Sequence, residues 1–137
     1  MVKEKYGLKI SRKKGNNLKL YNTILDWEGT PYKYGGKDRG GIDCSSFVAV
    51  AINTAYKKKI SGSAASLFTI VKVIENEEDY MEGDIIFFKI DTNRISHVGV
   101  FLKERKFAHS TVKSGVRVDD LDENYYKTHF FAVGRLN

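Results

Sequence analysis

Three residues of this chain have the chemistry for nucleophilic catalysis: the only cysteine, Cys44, and two of the three histidines, His97 and His109. A thiol nucleophile needs a base within hydrogen-bonding distance, and that base needs a third group to orient it. The three residues can fill these three roles. Each also has a structural alternative, because a lone cysteine is often a small buried side chain, and a lone histidine in a strand is often only a hydrogen-bonded one.

The position of Cys44 in the sequence favours the functional alternative. It follows a glycine-rich segment, residues 35–41, and precedes an apolar run, residues 47–52. The residue types that cap helix N-termini flank it: Asp43, Ser45 and Ser46. We therefore predict that Cys44 lies in the first turn of a buried helix over 44–56. The positive end of the helix dipole is expected to lower the pKa of its thiol there.

The two histidines fall on neighbouring predicted strands. His97 lies near the start of a strand over 94–102, and His109 lies in the next one, over 106–111. If a two-residue turn joined these strands, the histidines would lie on opposite faces of the sheet. An odd turn or a bulge would place them on the same face. Catalysis by both histidines therefore predicts an odd turn.

The order of elements along the chain predicts an α+β fold. Apolar residues recur with helical spacing in the first half, where the predicted helices span 17–28, 44–56 and 64–73. β-Branched and aromatic residues dominate the second half, where the predicted strands span 84–90, 94–102, 106–111, 115–118 and 129–135. Tight polar turns between the strands favour antiparallel pairing. Helices followed by a meander of strands are typical of an α+β domain.

Length and composition describe one ordinary globular domain. The chain has 137 residues, of which 42% are hydrophobic and 29% are charged. A single cysteine excludes an intramolecular disulfide, and the chain lacks the residue spacing of a structural zinc site. No apolar run reaches the roughly 20 residues of a transmembrane helix, and no signal-peptide core follows Met1.

The net charge of +6 is concentrated at the N-terminus. Residues 1–19 contain seven cations and one anion, which leaves sixteen of each sign for the rest of the chain. We therefore divide the chain into a basic arm, residues 1–17, and a neutral domain, residues 18–137. The arm is suited to tethering on an anionic membrane or cell-wall polymer, and a solvated terminus is the alternative. The neutral domain argues against nucleic-acid binding.

Five blocks of sequence resemble the NlpC/P60 cysteine peptidases, in that family's order and near its spacing. These blocks are residues 29–36, 41–45, 83–88, 97–100 and 107–109. The resemblance implies a papain-like α+β domain, in which N-terminal helices, including the nucleophile helix, pack on a five- to six-stranded antiparallel sheet. It also implies a cysteine endopeptidase that cleaves bacterial cell-wall stem peptides, commonly between D-Glu and diaminopimelate, through a thioacyl-enzyme.

The resemblance assigns roles by motif position. It makes Cys44 the nucleophile, His97 the base and His109 the residue that orients the base. It places four residues at the substrate: Tyr32, Asp43, Ser45 and Ser63. No cofactor or metal is implied. We expect a monomer whose partners are peptidoglycan stem peptides. We also expect it in the cell envelope, periplasmic or secreted, with lipoprotein anchoring through a removed signal as one route.

Several alternatives stay open from the sequence. Asp43 is also a suitable helix cap. Ser46 stands where the family usually has glycine, and Leu67 where it usually has glutamine, so the exact substrate is not fixed. An amidase that is secreted against competing bacteria would use the same chemistry. A binding module that does not turn over is the alternative from another functional class.

Overall fold

The computed structural model describes residues 3–5, 8–10 and 16–137 of the chain. The helices within these residues are α1 (Leu18–Trp27), α2 (Cys44–Tyr56), α3 (Ala64–Phe68) and α4 (Asn124–His129). The strands are β1 (Lys3–Lys5), β2 (Leu8–Ile10), β3 (Lys37–Asp38), β4 (Gly41–Ile42), β5 (Lys72–Val73), β6 (Ile85–Phe88), β7 (His97–Phe101), β8 (Lys106–Thr111), β9 (Gly115–Asp120) and β10 (Phe130–Arg135). Six strands form the main antiparallel sheet, in the order β5-β10-β6-β7-β8-β9.

The predicted α+β class is confirmed, and four details differ from the sequence analysis. The helix predicted over 64–73 ends at Phe68, because the residues that follow are largely β-branched and Lys72–Val73 pairs with β10. The strand predicted over 115–118 continues to Asp120. The short helix α4 and the small β3–β4 hairpin were not predicted, because neither is long enough to show a hydrophobic period.

Both faces of the main sheet are buried. Helix α2 covers one face, and its fully buried Phe47 belongs to the core that it forms with α1, β6 and β7. On the opposite face, a smaller and largely aromatic cluster contains Phe88, Phe101 and Phe107, and Tyr126 of α4 packs against it. The sheet therefore separates the larger core below the helices from a smaller, largely aromatic layer.

The turn between β7 and β8 has the odd length that the sequence analysis required. Val100 faces Ala108, and the Leu102 N–H donates to the Lys106 carbonyl at 2.8 Å, which leaves the three residues 103–105 in the turn. In this register His97 and His109 lie on the same face, that of the aromatic cluster, and their ring centroids are 5.0 Å apart.

The predicted basic arm is only partly described, because residues 1–2, 6–7 and 11–15 lie outside the described residues. Strands β1 and β2 pair antiparallel, and Leu8 is buried in the main core with 1% exposure. The Asn17 side chain caps α1 by accepting from the Leu20 N–H. Leu8 and Asn17, which the sequence analysis assigned to the arm, therefore contact the folded domain. The boundary after residue 17 stays a prediction. Tethering through the arm stays a prediction. None of the helices in the described ranges has the length and apolar character to span a membrane.

Helix α2 is expected to depend on Phe47 for its place against the sheet. Replacing this fully buried ring in Phe47→Ala leaves a cavity and should lower the free energy of unfolding by about 3–5 kcal/mol. Thr54→Ala, on the exposed side of the same helix, is the control and should change it by less than about 0.5 kcal/mol. Urea denaturation followed by circular dichroism measures both, and equal losses would contradict this account of the packing.

Candidate active site

Helix α2 begins at Cys44, as predicted, because Asp43 caps it. The Asp43 carboxylate accepts a hydrogen bond from the Ser46 N–H at 2.8 Å and another from the Gly35 N–H at 3.0 Å. The first bond satisfies a free N–H group of the first helical turn. The second ties the preceding glycine-rich loop to the helix, so one side chain fixes both segments beside Cys44.

Two glycines let this loop fold back on itself. The Asp43 N–H donates to the Gly36 carbonyl at 3.1 Å, across the β3–β4 hairpin. A Cβ atom on Gly36 would collide with the backbone of Gly41, and one on Gly41 would collide with the Lys33 side chain. The absence of side chains at these two positions therefore permits the close backbone approach in front of the helix.

The Cys44 thiol is buried, with 8% of the residue exposed, and it contacts the backbone of Val98 near the start of β7. Burial raises the pKa of the thiol to about 11, although the backbone N–H of Val98, the residue after His97, opposes this shift. The backbone N–H groups of Cys44 and Ser45, at the start of α2, act in the expected direction and lower the pKa. Burial outweighs them, so the expectation of a lowered pKa for this thiol is wrong. Local sequence identifies the helix dipole, but loss of water around the sulfur has the larger effect.

A chain of hydrogen bonds runs through the two histidines to a carboxylate. His97 Nε2 lies 2.7 Å from His109 Nδ1, and His109 Nε2 lies 2.7 Å from the Asp119 carboxylate. Burial lowers the pKa of His97 to about 3, and the neighbouring His109 adds to this shift. Burial also lowers the pKa of His109, against the opposing effect of Asp119. Both rings are therefore neutral at pH 7.

Asp119 was not predicted from the sequence as a residue of the site. The strand predicted over 115–118 ended one residue before it. In the structure, His109 pairs with Arg117, and Phe107 pairs with Asp119. Continuing the alternation of β9 by one more residue would have placed Asp119 on the same face as His109. The alternation of side chains along β9 could therefore have identified Asp119, but the strand was predicted to end too early.

Two cavities flank the site, and Tyr32 and Ser96 line both. The first, of about 730 Å³, is bordered by Cys44 and by Asp43. The second, of about 610 Å³, is bordered by both histidines of the hydrogen-bond chain. Tyr32 lies close enough to Cys44 and Asp43 for both to raise the pKa of its phenol, after the larger effect of burial. The arrangement can hold an extended chain across the thiol.

The other predicted substrate residues also border the first cavity, and each has a structural partner. The Ser45 hydroxyl lies 3.3 Å from the Asp43 carboxylate. The Ser63 side chain caps α3 by accepting from the Ser66 N–H at 3.1 Å. Their contact with substrate stays a prediction. Over the described residues, the potential ligands His, Cys, Asp and Glu form no cluster that could hold a metal ion.

Asp43→Ala tests how much this residue contributes as a cap. Losing the acceptor for the Ser46 and Gly35 N–H groups should lower the free energy of unfolding by about 1–2 kcal/mol. Asp43→Asn keeps one carbonyl oxygen and should lose less. Urea denaturation of both variants measures the effect. Unchanged stability in Asp43→Ala, together with a raised KM, would instead show that the side chain acts only on substrate.

The buried neutral histidines predict a loss of stability in mild acid. The unfolded chain binds a proton at each histidine below a pKa of about 6.5, whereas the folded protein keeps His97 and His109 neutral at that pH. The free energy of unfolding should therefore fall as the pH drops from 6.5 to 5. The slope should approach about 1.4 kcal/mol per pH unit from His97, and His109 adds to it in the same direction.

Urea denaturation at pH 7, 6 and 5 measures this slope. His97→Gln should lower the slope by about 1.4 kcal/mol per pH unit, because the proton that His97 binds on unfolding is lost. A free energy of unfolding that stays constant over this interval would show that a thiolate–imidazolium pair, and not two neutral groups, is the resting state.

Comparison with known proteins places the chain in a family. Residues 29–135 match the model of the NlpC/P60 family. The probable endopeptidase NlpC of Escherichia coli is 31% identical over 118 residues, which cover 85% of this chain and 76% of that protein. The murein DD-endopeptidase MepS/murein LD-carboxypeptidase of the same species is 27% identical, over 86% of this chain and 62% of that protein.

A solved structure agrees in fold. The lipoprotein-like NLP/P60 family protein of Staphylococcus aureus superposes with a TM-score of 0.76 at 25% identity, over 86% of this chain and 40% of its own length. The matched residues include Cys44, His97, His109 and Asp119, since all four lie between residues 29 and 135. The chain therefore belongs to the NlpC/P60 family of cysteine peptidases.

Proposed function

We propose that this protein is a peptidoglycan endopeptidase in which Cys44 is the nucleophile, His97 the general base and His109 the residue that orients the base. The observation that carries the proposal is the 2.7 Å hydrogen bond between His97 and His109, at the start of β7, the strand whose backbone contacts the Cys44 thiol. The family supports the reaction class, and the names of relatives that act on murein or peptidoglycan support the substrate.

The pKa directions favour attack by a thiol that loses its proton as it reacts. His97 Nε2 is occupied by His109, so Nδ1 is the ring nitrogen that can take the proton. The sulfur bonds to the carbonyl carbon while the proton moves to Nδ1, and His97 then donates it to the leaving amine as the C–N bond breaks. Water next attacks the thioester, and His97 passes the water's proton to the departing sulfur.

The two cavities support an extended peptide as substrate. The acyl half would occupy the cavity beside Asp43, whose carboxylate suits an amino group of a stem peptide. The amine half would occupy the cavity beside the histidines. The backbone N–H groups at the start of α2 are suited to hold the oxyanion, with Tyr32 as a second donor. Action on peptidoglycan would place the protein in the cell envelope.

The bond between D-Glu and diaminopimelate is our proposal for the cleavage point. The name of the MepS relative combines DD-endopeptidase and LD-carboxypeptidase activities, and a Bacillus licheniformis relative is named a DL-endopeptidase. The family therefore includes several bond specificities. Ser46 and Leu67, which depart from the usual residues of the family, lie at the start of α2 and in α3.

Mass spectrometry of purified muropeptides tests the activity and the bond together. The wild-type protein should release products with a free diaminopimelate amine, and Cys44→Ala should release none. Products cut elsewhere in the stem peptide would support the endopeptidase activity and contradict the proposed cleavage point. Intact muropeptides with the wild-type protein would contradict the substrate. The rate at which iodoacetamide alkylates Cys44 would then distinguish a reactive thiol with another substrate from an inactive one.

A further inference from the structure

Asp119 is buried, with 6% exposure, and it takes part in two hydrogen bonds and one ion pair. One carboxylate oxygen, Oδ2, lies 2.7 Å from His109 Nε2 and 3.2 Å from the Tyr126 hydroxyl. The other, Oδ1, lies 2.9 Å from Arg117 Nη2. Burial alone would raise the pKa of Asp119, but the bond to His109 and the nearby positive charge lower it overall. The group is therefore a carboxylate, which only accepts hydrogen bonds.

We propose that Asp119 is a positioning residue that sets the tautomers of both histidines, so that His97 presents an unprotonated Nδ1 to Cys44. The proposal rests on the proposed function, since it assigns the base nitrogen of that mechanism. It extends the Cys-His-His arrangement by a fourth residue, which lies on β9, two strands away from His97.

The tautomers follow from one end of the chain to the other. Because the Asp119 carboxylate cannot donate, His109 must carry its proton on Nε2. A neutral imidazole has one N–H, so His109 Nδ1 is an acceptor, and His97 must donate to it from Nε2. His97 Nδ1 is then left without a proton. Each imidazole N–H in this hydrogen-bond chain has an acceptor. The free lone pair at the other end of the hydrogen-bond chain lies on Nδ1 of His97, the general base.

Arg117 determines what happens when Asp119 becomes an amide. A guanidinium can only donate, so in Asp119→Asn the carbonyl oxygen is expected to face Arg117 and the NH₂ group to face His109. The amide would then donate to His109 Nε2, and His109 would donate from Nδ1 to His97 Nε2. His97 would carry its proton on Nδ1. All hydrogen bonds survive, but the base nitrogen is blocked.

Long-range ¹⁵N–¹H NMR correlations of the histidine rings test this assignment without any substrate. In the wild-type protein at pH 7, His97 and His109 should both be Nε2–H tautomers. In Asp119→Asn both should become Nδ1–H tautomers. Detection of Nδ1–H on either ring of the wild-type protein would overturn the proposal, even if the variant failed to fold.

Kinetics provide the second measurement. Asp119→Asn should lower kcat of muropeptide cleavage by about 10³–10⁴-fold with little change in KM, as expected for a base in the wrong tautomer. Activity within threefold of wild type would overturn the proposal. If the wild-type protein shows the expected tautomers but leaves muropeptides intact, the proposed substrate is contradicted and the assignment of tautomers is still supported.

A matched double variant separates the tautomer from a structural effect. Arg117 is half exposed, and Arg117→Met removes its ion pair with Asp119 while keeping an unbranched side chain. In Asp119→Asn/Arg117→Met the amide is free to rotate, since the Tyr126 hydroxyl can either donate or accept. Nε2–H tautomers should return, and kcat should recover at least tenfold over Asp119→Asn. A double variant no more active than Asp119→Asn, with unchanged Nδ1–H tautomers, would contradict the role given to Arg117 and Asp119.

Discussion

The site depends on the register of three adjacent strands. The β7–β8 and β8–β9 turns each contain three residues, 103–105 and 112–114, so residues of the same parity share a face across all three strands. His97, His109 and Asp119 are therefore brought into one row. One residue more or fewer in either turn would move part of this row to the face covered by the helices.

The same register places the polar row among aromatic side chains. The ring centroid of His109 lies 4.4 Å from that of Phe107 and 5.3 Å from that of Tyr126. The ring centroid of His97 lies 5.7 Å from that of Phe88. These rings exclude water, which disfavours charge on the imidazoles. Buried polar groups are tolerated when each has a hydrogen-bond partner. Here the hydrogen-bond chain ends on the Asp119 carboxylate, which also bonds to Tyr126 and forms an ion pair with Arg117. The neutral resting state is thus a consequence of packing.

Local signals in the sequence were sufficient to locate helices α1 and α2. The capping residue types and glycines around Cys44 specified where α2 begins, because a helix start depends on neighbours in sequence. Whether the two histidines share a face depends on the length of the turn between β7 and β8. The sequence left this length open, and the proposed catalytic role of both histidines predicted an odd one. Predicting Asp119 as part of the site required the correct end of β9, and strand ends depend on partners that are distant in sequence. Contacts of Leu8 with the core were missed for the same reason.

The pKa of Cys44 shows where local reasoning reaches its limit, and it changes the role expected of the helix. A dipole at the N-terminus of α2 acts on any negative charge nearby, but burial keeps the resting thiol neutral. In the proposed mechanism, negative charge develops only as the C–S bond forms, and it moves onto the carbonyl oxygen. The N–H groups at the start of α2 then stabilise the oxyanion rather than the thiolate. Since this interaction strengthens only as the bond forms, it contributes to the rate and not to substrate binding.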